Sequence, residues 1–522
     1  MKKRFWVSTR ALAKNAPGLN LEVLNEMADK TKKGFMKLFK FFSTLLSFIL
    51  LFSCTADGEL FKDAICIDDI SIIDPENGLA EHQTVIVKDG KILKVVPSNQ
   101  IQLSQNNTII KGTGKFLIPG LWDSHIHFDY IAALAPSMFD LFLAYGITSV
   151  RDTGGRIEFL KMWKDAALAN PTKTPRVKIA GPLLDGMPNV YDGSDAEHPP
   201  LSVGLASEEA INKQINTLDS LGVDFLKAYE MLSPEQFMTI MRIAKEKGLK
   251  VTGHIPLSMD VASASNAGLN SMEHIRNVEF SCASNADELL LERQKILENE
   301  KNSKGAALRS HLHQLQREKA LDNYDADKAN KVLALLRKND TWQIPTLTLA
   351  KAYSTRFFAN ADWQQSFDAL PDSIATDWKQ QIETIMKEPV LDSGHQYSKW
   401  FLNMVGKMHE NEIPIMAGTD TPIFFLTPGR SLHQELALLV EVGLTPLEAL
   451  KTATLNPAKY FEMENELGRI KENMWADMII LKENPLENIE NTRNIEAVFK
   501  QGKYLDRKAL DGLLVRSKQN DN

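Results

Sequence analysis

The stretch Phe116-Leu-Ile-Pro-Gly-Leu-Trp-Asp-Ser-His-Ile-His-Phe128 decides the fold of this chain. It is apolar over most of its length, which predicts a buried β-strand. Near its carboxyl end it contains two histidines that are separated by one residue. Because successive side chains of a strand point to opposite faces, His125 and His127 lie on the same face. The strand therefore carries two imidazoles to one place at its carboxyl end.

Further short β-like runs follow this strand, and helical patterns such as Pro234–Lys247 and Leu432–Val442 separate most of them. Eight strands that alternate with helices predict a (β/α)8 TIM-type barrel, which we expect to occupy residues 116–464. The remaining runs are Ile147–Asp152, Val177–Gly181, Asp224–Tyr229, Lys250–His254, Ser271–Ile275, Gln343–Leu347 and Ile413–Asp420.

Two segments, at about 280–340 and 350–410, are too long for ordinary connections and contain charged helical patterns. We expect them to be helical insertions at the mouth of the barrel. They could form a lid or substrate platform, or they could be solvated decoration, and the sequence does not decide between these. His311 and His313 lie in the first insertion and are interpreted as solvated.

The parts of the chain on either side of the barrel read as strands and turns. Residues 54–115 contain a hairpin turn at Asp89-Gly90-Lys91, and residues 465–510 contain further short strands. We expect one small β-sandwich domain built from both chain ends.

Several metal-ligand side chains fall at the carboxyl ends of the predicted barrel strands, where such barrels do chemistry. A single inward histidine is more often a core residue, but this many matching positions favour a metal site. Neutral imidazoles with a carboxylate suit zinc, and suit iron or manganese less well. The candidate ligands are His125, His127, His254, His274 and Asp420.

Lys227 lies in the predicted fourth strand, among these strand ends. Burial lowers the pKa of a lysine, which makes the neutral amine available. A neutral amine can add carbon dioxide and become a carbamate, an anion whose two oxygens can bridge two cations. A structural lysine paired with Asp420 or Asp224 is the alternative.

Several motifs, in their order along the chain, resemble those of the amidohydrolase superfamily. They are Gly-Leu-Trp-Asp-Ser-His-Ile-His (120–127), Gly-Ile-Thr-Ser-Val-Arg-Asp-Thr-Gly-Gly (146–155), Gly-His-Ile (253–255), Glu-His-Ile (273–275) and Ala-Gly-Thr-Asp (417–420). Asp224-Phe-Leu-Lys-Ala-Tyr229 resembles the imidazolonepropionase-like and prolidase-like branch of metal-dependent hydrolases.

The resemblance implies two divalent metal ions, with zinc as the expected metal. One ion would be bound by His125, His127 and Asp420, and the other by His254 and His274. An N6-carboxylated Lys227 would bridge the two ions.

The same resemblance implies hydrolysis of a carbon–nitrogen bond by a bridging water that the two cations activate. Asp420 would accept the proton of this water and deliver it to the leaving amine. Tyr229, two residues past Lys227, is expected to polarise the substrate carbonyl or to bind a carboxylate. A core tyrosine is an equal alternative for Tyr229.

A prolidase-like peptidase is the favoured function. The alternative enzyme is an imidazolonepropionase-like cyclic-amide hydrolase or a deaminase. A non-catalytic surface-binding lipoprotein is the hypothesis from a different class, and the complete ligand set argues against it. Arg276 and Arg430 are candidates for pairing with an acidic substrate group.

The composition restricts the class of partner. The chain has 522 residues with 43% apolar and 24% charged residues, which is typical of a globular protein. A net charge of −7 gives no reason to expect a nucleic-acid partner, and three cysteines are too few for a disulfide framework. We expect a small-molecule or short peptide substrate, and a homo-oligomer stays open.

Residues 36–53 are interpreted as a signal peptide. Lys37 and Lys40 lie at its start, and the uncharged run Phe41–Ser53 is short for a membrane span. Cys54 follows directly, as in a bacterial lipoprotein processing site, so we expect lipid attachment there. An ordinary signal peptide or an uncleaved anchor is the alternative. Residues 1–35 are then an untranslated extension or a long n-region, and the protein is expected to be exported, as a cell-envelope lipoprotein or in the periplasm.

Overall fold

The computed structural model describes residues 62–104, 106–194, 197–300 and 303–520, together with Glu26 and Lys30. The chain divides into two compact units, residues 1–64 with 103–107 and residues 65–102 with 108–522. Within the first unit, the Asn107 side chain accepts a hydrogen bond from the backbone N–H of Ala64 at 3.2 Å. The predicted signal peptide 36–53 and Cys54 lie outside the described residues, as does the extension 1–35 apart from Glu26 and Lys30.

All the strands named here belong to the second unit. They are β1 (Ile65–Asp74), β2 (Gly78–Lys88), β3 (Lys91–Pro97), β4 (Thr108–Lys111), β5 (Phe116–Pro119), β6 (Leu121–Ile126), β7 (Ile147–Asp152), β8 (Arg176–Ile179), β9 (Leu183–Asp185), β10 (Ser202–Gly204), β11 (Phe225–Ala228), β12 (Lys250–Gly253), β13 (Ser271–Glu273), β14 (Trp342–Ile344), β15 (Met478–Leu481), β16 (Ile495–Lys500) and β17 (Lys503–Asp506).

One eight-stranded sheet combines strands from both sides of the predicted barrel. Its order is β17-β16-β15-β5-β1-β2-β3, and β4 pairs with β1. The two groups meet where β5 runs antiparallel to β15, with Leu117 opposite Ile480. Apolar side chains from both groups, among them Ile67 and Phe499, form one buried cluster. Both ends of the sequence thus build one sheet, but the expected β-sandwich is not shown among the described strands.

The remaining strands form two parallel sheets, one of six strands in the order β10-β9-β11-β12-β13-β14 and one of three in the order β6-β7-β8. The predicted eighth strand, Ile413–Asp420, is not a strand. Within it Ile415 makes a single parallel bridge with Gln343, and Thr421, the next residue after it, makes another with Ile126. The expected α/β alternation is present, whereas a closed eight-stranded barrel is not confirmed by the hydrogen bonding of the described strands.

The predicted first strand, 116–128, divides into β5 and β6 at Gly120. A Cβ atom at Gly120 would lie 2.3 Å from the Thr148 hydroxyl, so only glycine permits this close approach. The chain can therefore leave the eight-stranded sheet and enter the three-stranded sheet within one residue. This places His125 in the parallel sheet rather than in the sheet of the chain ends.

The α-helices lie between and beyond the parallel strands. They are α1 (Ala135–Ala144), α2 (Ile157–Ala169), α3 (Glu208–Ser220), α4 (Pro234–Lys247), α5 (Val261–Asn266), α6 (Val278–Ser281), α7 (Ala286–Asn299), α8 (Gly305–Asp322), α9 (Ala326–Lys338), α10 (Leu347–Thr355), α11 (Ala361–Gln364), α12 (Asp372–Ile385), α13 (Asp392–Glu410), α14 (Arg430–Glu441), α15 (Pro446–Thr452), α16 (Leu455–Tyr460) and α17 (Arg507–Lys518).

Helices α6 to α9 follow β13, and helices α10 to α13 follow β14. They are not mere solvated decoration, because α8 buries Leu308 and Leu312 against Leu257. The interpretation of His313 as solvated is wrong, since this residue is buried, whereas His311 on the same helix is exposed. Among the described residues, no helix has the length and apolar character needed to cross a membrane.

Candidate metal centre

The carboxyl ends of the parallel strands bring the predicted ligands together. His125 lies in β6 and His127 just beyond it, and Asp420 lies in the bridging segment next to them. One ligand atom from each of these three buried residues lies within 4.8 Å of the other two. Three buried side chains of types that can bind a metal ion therefore lie together at one site.

The backbone of Asp420 is fixed against β6. Its N–H donates to the carbonyl of His125 at 2.8 Å, and the N–H of His127 donates to the carbonyl of Thr421 at 2.9 Å. The buried Asp123 carboxylate also accepts the Thr419 hydroxyl at 2.7 Å. Asp420 itself has a left-handed φ of 68°, a conformation that non-glycine residues adopt at an energetic cost. The surrounding bonds hold this backbone in place and direct the carboxylate toward the histidines.

The hydrogen bonds of the two histidines leave their Nε2 atoms facing Asp420. Nδ1 of His127 donates to the carbonyl of Gly154 at 2.9 Å, and Nδ1 of His125 to the Glu273 carboxylate at 2.6 Å. Both Nε2 atoms lie 3.1 Å from Oδ1 of Asp420, yet this oxygen accepts no hydrogen bond from any described residue. Neutral imidazoles would present two lone pairs to a carboxylate oxygen, an arrangement that a cation between them would satisfy.

The Glu273 carboxylate, which accepts the hydrogen bond from His125, is itself held by two further donors. Its second oxygen accepts Nη2 of the buried Arg151 at 2.9 Å, and the hydroxyl of Thr252 also donates to it. Although burial opposes ionisation, the charge of Arg151 and the hydrogen bond from His125 hold the pKa of Glu273 well below its usual range. A carboxylate in this state fixes the Nδ1–H tautomer of His125.

His274 and His254 complete the group of imidazoles. Nε2 of His274 lies 3.5 Å from Oδ2 of Asp420, and the ring centroids of His254 and His274 are 4.9 Å apart. Nδ1 of His254 donates to the buried Glu230 carboxylate at 2.6 Å. Burial lowers the pKa of His254 to about 3, so its imidazole is neutral and its Nε2 lone pair is available to a metal.

Lys227 is buried in β11 beside the same cluster. Its Nζ lies 3.5 Å from Nε2 of His125. Burial lowers the pKa of Lys227 to about 8, so about a tenth of its amine is neutral at pH 7, far more than for an ordinary lysine. The structural alternative of a pair with Asp224 does not occur, because Asp224 binds Lys164 and Lys178 instead.

Tyr229 lies beside this cluster, with its ring centroid 4.4 Å from that of His254. The side chain is buried, and its hydroxyl accepts a hydrogen bond from Nη1 of Arg309 at 3.3 Å. The chain therefore places Tyr229 next to the candidate ligands, and its catalytic role stays a prediction. The metal-binding roles of His125, His127, Lys227, His254, His274 and Asp420 likewise stay predictions, which their positions in the structure support.

A cavity of about 660 Å³ begins at His274 and extends under the helices that follow β13 and β14. Four arginines line it, against one carboxylate from Glu318, so its lining carries positive charge. The Arg276 side chain makes no hydrogen bond or ion pair with any described residue, and its Nε is enclosed. The predicted alternative, Arg430, is already paired with Asp362 at 3.1 Å. The four arginines are Arg276, Arg309, Arg317 and Arg356.

Sequence reasoning missed the residues that support the ligands. Glu273 immediately precedes His274 within the Glu-His-Ile motif, which was a usable signal for a buried carboxylate. Arg151 lies within the motif 146–155 and so had the same kind of signal, whereas Glu230 had none, because its partner His313 lies 83 residues further along the sequence. His313 was recognised only as part of a charged helix.

Comparisons of the sequence with known proteins find one family model and one relative that resemble this chain. Residues 373–505 match the sequence model of the Amidohydrolase family. The chain is 24% identical over 444 residues to ochratoxinase from Aspergillus niger, an alignment that covers 74% of this chain and 75% of that one.

Solved structures extend the likeness to most of the chain. A Xaa-Pro dipeptidase with bound methionine in the active site superposes with a TM-score of 0.61 at 18% identity and covers 85% of this chain and 100% of its own. A bottromycin amidohydrolase gives a TM-score of 0.64 at 19% identity and covers 87% of this chain and 90% of its own. At these identities the structural matches establish a shared fold.

Proposed function

We propose that this chain is a hydrolase of the amidohydrolase superfamily that acts on carbon–nitrogen bonds, and that it is a metal-dependent, prolidase-like peptidase. Its substrate would be a short peptide with a free carboxylate. One observation carries this substrate class: in an arginine-lined cavity that begins at His274, the Arg276 side chain has no hydrogen-bond or ion-pair partner among the described residues. A carboxylate is the ligand that a guanidinium in a partly desolvated cavity favours most strongly.

The donor set fits two divalent cations, with zinc preferred. The side chains are imidazoles and carboxylates, and the Nδ1 atoms of His125, His127 and His254 are each bonded to an acceptor. His125, His127 and Asp420 would hold one ion, His254 and His274 the other, and a carboxylated Lys227 would bridge them. Bound cations of this kind supply a water of lowered pKa and polarise a carbonyl.

Asp420 is the proposed proton shuttle. Its Oδ1 lies between the Nε2 atoms of His125 and His127, and its Oδ2 lies 3.5 Å from Nε2 of His274. An amide needs a protonated leaving amine, so one carboxylate that accepts a proton and then releases it serves both stages. The Tyr229 ring lies beside His254, so we propose that its hydroxyl contacts the substrate carbonyl or carboxylate. Arg309 donates a hydrogen bond to this hydroxyl and holds it in place.

Export and lipid attachment at Cys54 are further proposals that rest on the sequence pattern of residues 36–54. An exported peptidase would act on peptides outside the cytoplasm.

A paired substrate panel tests the proposed function. Zinc-loaded protein is given dipeptides with a free carboxyl terminus, the same dipeptides with a carboxamide terminus, and a cyclic amide, and amine release is measured. We expect the free-carboxylate dipeptides to react about 10- to 100-fold more efficiently in kcat/KM, with loss of activity in a chelator and recovery on adding zinc. Faster cleavage of the cyclic amide, or no cleavage of any dipeptide, would refute the proposal.

A further inference from the structure

The helical insertion that follows β13 is connected to a candidate metal ligand through one buried carboxylate. Oε1 of Glu230 accepts Nδ1 of His254 at 2.6 Å, and Oε2 of the same residue accepts Nε2 of His313 at 2.9 Å. His313 belongs to α8, 83 residues further along the chain than Glu230. The insertion thus contributes a side chain to the support of His254.

The Glu230 carboxylate depends on these two imidazoles. Its side chain is fully buried, and the described residues provide it with no other hydrogen-bond donor. Each carboxylate oxygen therefore has one donor, and loss of either donor would leave a buried charged oxygen unsatisfied.

Helix α8 is held in a defined register, which keeps His313 aligned. A Cβ at Gly305 would lie 2.4 Å from the carbonyl oxygens of residues 188 and 189, so the start of the helix approaches that loop closely. One turn later Leu308 packs on Leu257, and Arg309 donates to Tyr229. These contacts repeat every three or four residues and lead along one face of the helix to His313. The helix cannot shift along its axis without breaking several of them.

We propose that His313 is a positioning residue for the metal centre: by anchoring Glu230, it fixes the orientation and tautomer of His254. A neutral imidazole that donates Nδ1–H to a fixed carboxylate presents its Nε2 lone pair in one direction, which strengthens metal binding at that ring. This inference rests on the metal centre in the proposed function. It assigns to the insertion a role in retaining the metal held by His254 and His274, in addition to any role in covering the substrate.

Zinc affinity tests the inference without reference to turnover. Zinc-loaded wild type, His313→Leu and His313→Gln are titrated with a chromophoric chelator, and bound zinc per chain is measured. We expect His313→Leu, which lacks a donor, to weaken the more labile zinc by about 10- to 100-fold. His313→Gln, whose amide can still donate to Glu230, should stay within about threefold of wild type.

His311→Leu is the matched control, because His311 lies on the same helix but is exposed. It should retain zinc like wild type.

A merely structural role for His313 would lower the melting temperature of the zinc-free protein and leave the zinc affinity of the folded variant unchanged, and that result would overturn the inference. If His313→Leu does not fold, His313→Asn replaces it, since its shorter amide does not reach Glu230. A wild-type protein that binds no zinc would overturn the metal centre itself, whereas zinc-bound but inactive wild type would overturn only the peptidase proposal.

Discussion

Nε2 of His127 lies 3.1 Å from Oδ1 of Asp420, although the other ring nitrogen of His127 already donates its proton to the carbonyl of Gly154. A carbonyl oxygen can only accept, so Nδ1 carries the hydrogen and Nε2 of the neutral ring has only a lone pair. The opposing oxygen accepts no hydrogen bond from the described residues. Two acceptors this close inside a protein require positive charge between them, from a second proton or from a metal ion.

Replacement of Asp420 by asparagine should reduce kcat by about 10²- to 10⁴-fold, because the amide cannot accept and release a proton. Asparagine matches the shape of aspartate, so the folded state should persist, and zinc should remain bound through the histidines. Steady-state kinetics with a free-carboxylate dipeptide, together with near-ultraviolet circular dichroism and zinc content, measure these three effects.

Asp165→Asn provides the control, because Asp165 is an exposed residue whose carboxylate pairs with Lys161 on the surface of α2. It should be as active as wild type. A folded, zinc-bound Asp420→Asn variant that kept more than about a tenth of the wild-type kcat would exclude the shuttle role.

Parallel strands such as β6 and β11 could be predicted because all their residues are buried and they therefore read as short, mostly apolar runs. The segment Ile413–Asp420 has the same composition, but it forms only a single bridge and ends in the left-handed Asp420. The three-residue strands β9 and β10 are too short to give such an apolar run, and the sequence did not predict them. The candidate ligands could be selected from the sequence by residue type and by position at strand ends, and the structure brings them together. Glu230 and His313 could not, because their pairing depends on how α8 packs, which no local pattern in the sequence encodes.

Zinc binding by the metal-free protein should depend on bicarbonate and increase with pH, because it requires carboxylation of Lys227. Only the neutral amine adds carbon dioxide, and burial lowers the pKa of Lys227 from 10.5 to about 8. The ammonium form dominates below that pKa, so recovery of zinc-free protein in bicarbonate should increase between about pH 7 and pH 9, well below the range of an ordinary lysine. Zinc per chain and recovered activity are measured at each pH with and without bicarbonate.

Lys227→Met should abolish the bicarbonate effect and lower zinc content toward one ion per chain, while Lys161→Met, at a half-buried position on the surface of α2, should behave as wild type. A wild-type protein that recovers two zinc ions equally well without any bicarbonate or carbon dioxide would show that the lysine binds without being carboxylated.

Cells expressing the full chain should incorporate radioactive fatty acid into it, because Cys54 directly follows the apolar run Phe41–Ser53. Cys54→Ala should lose the label, whereas Cys282→Ala, at a buried free cysteine, should keep it. Label retained in Cys54→Ala, or absent from wild type, would rule out lipid attachment at this residue.

Arg276→Met should raise KM for dipeptides with a free carboxylate by about 10- to 100-fold and change kcat by less than about threefold, since the arginine is proposed to bind a group away from the reacting amide. Methionine fills much of the same space, and no described residue loses a hydrogen bond or ion pair with the Arg276 side chain, so the fold should tolerate the change.

The carboxamide forms of the same dipeptides should react equally with both proteins. Arg242→Met removes an exposed arginine from α4 and should leave both substrates unaffected. An equal loss toward free and amidated dipeptides would mean that Arg276 supports the cavity without recognising the carboxylate.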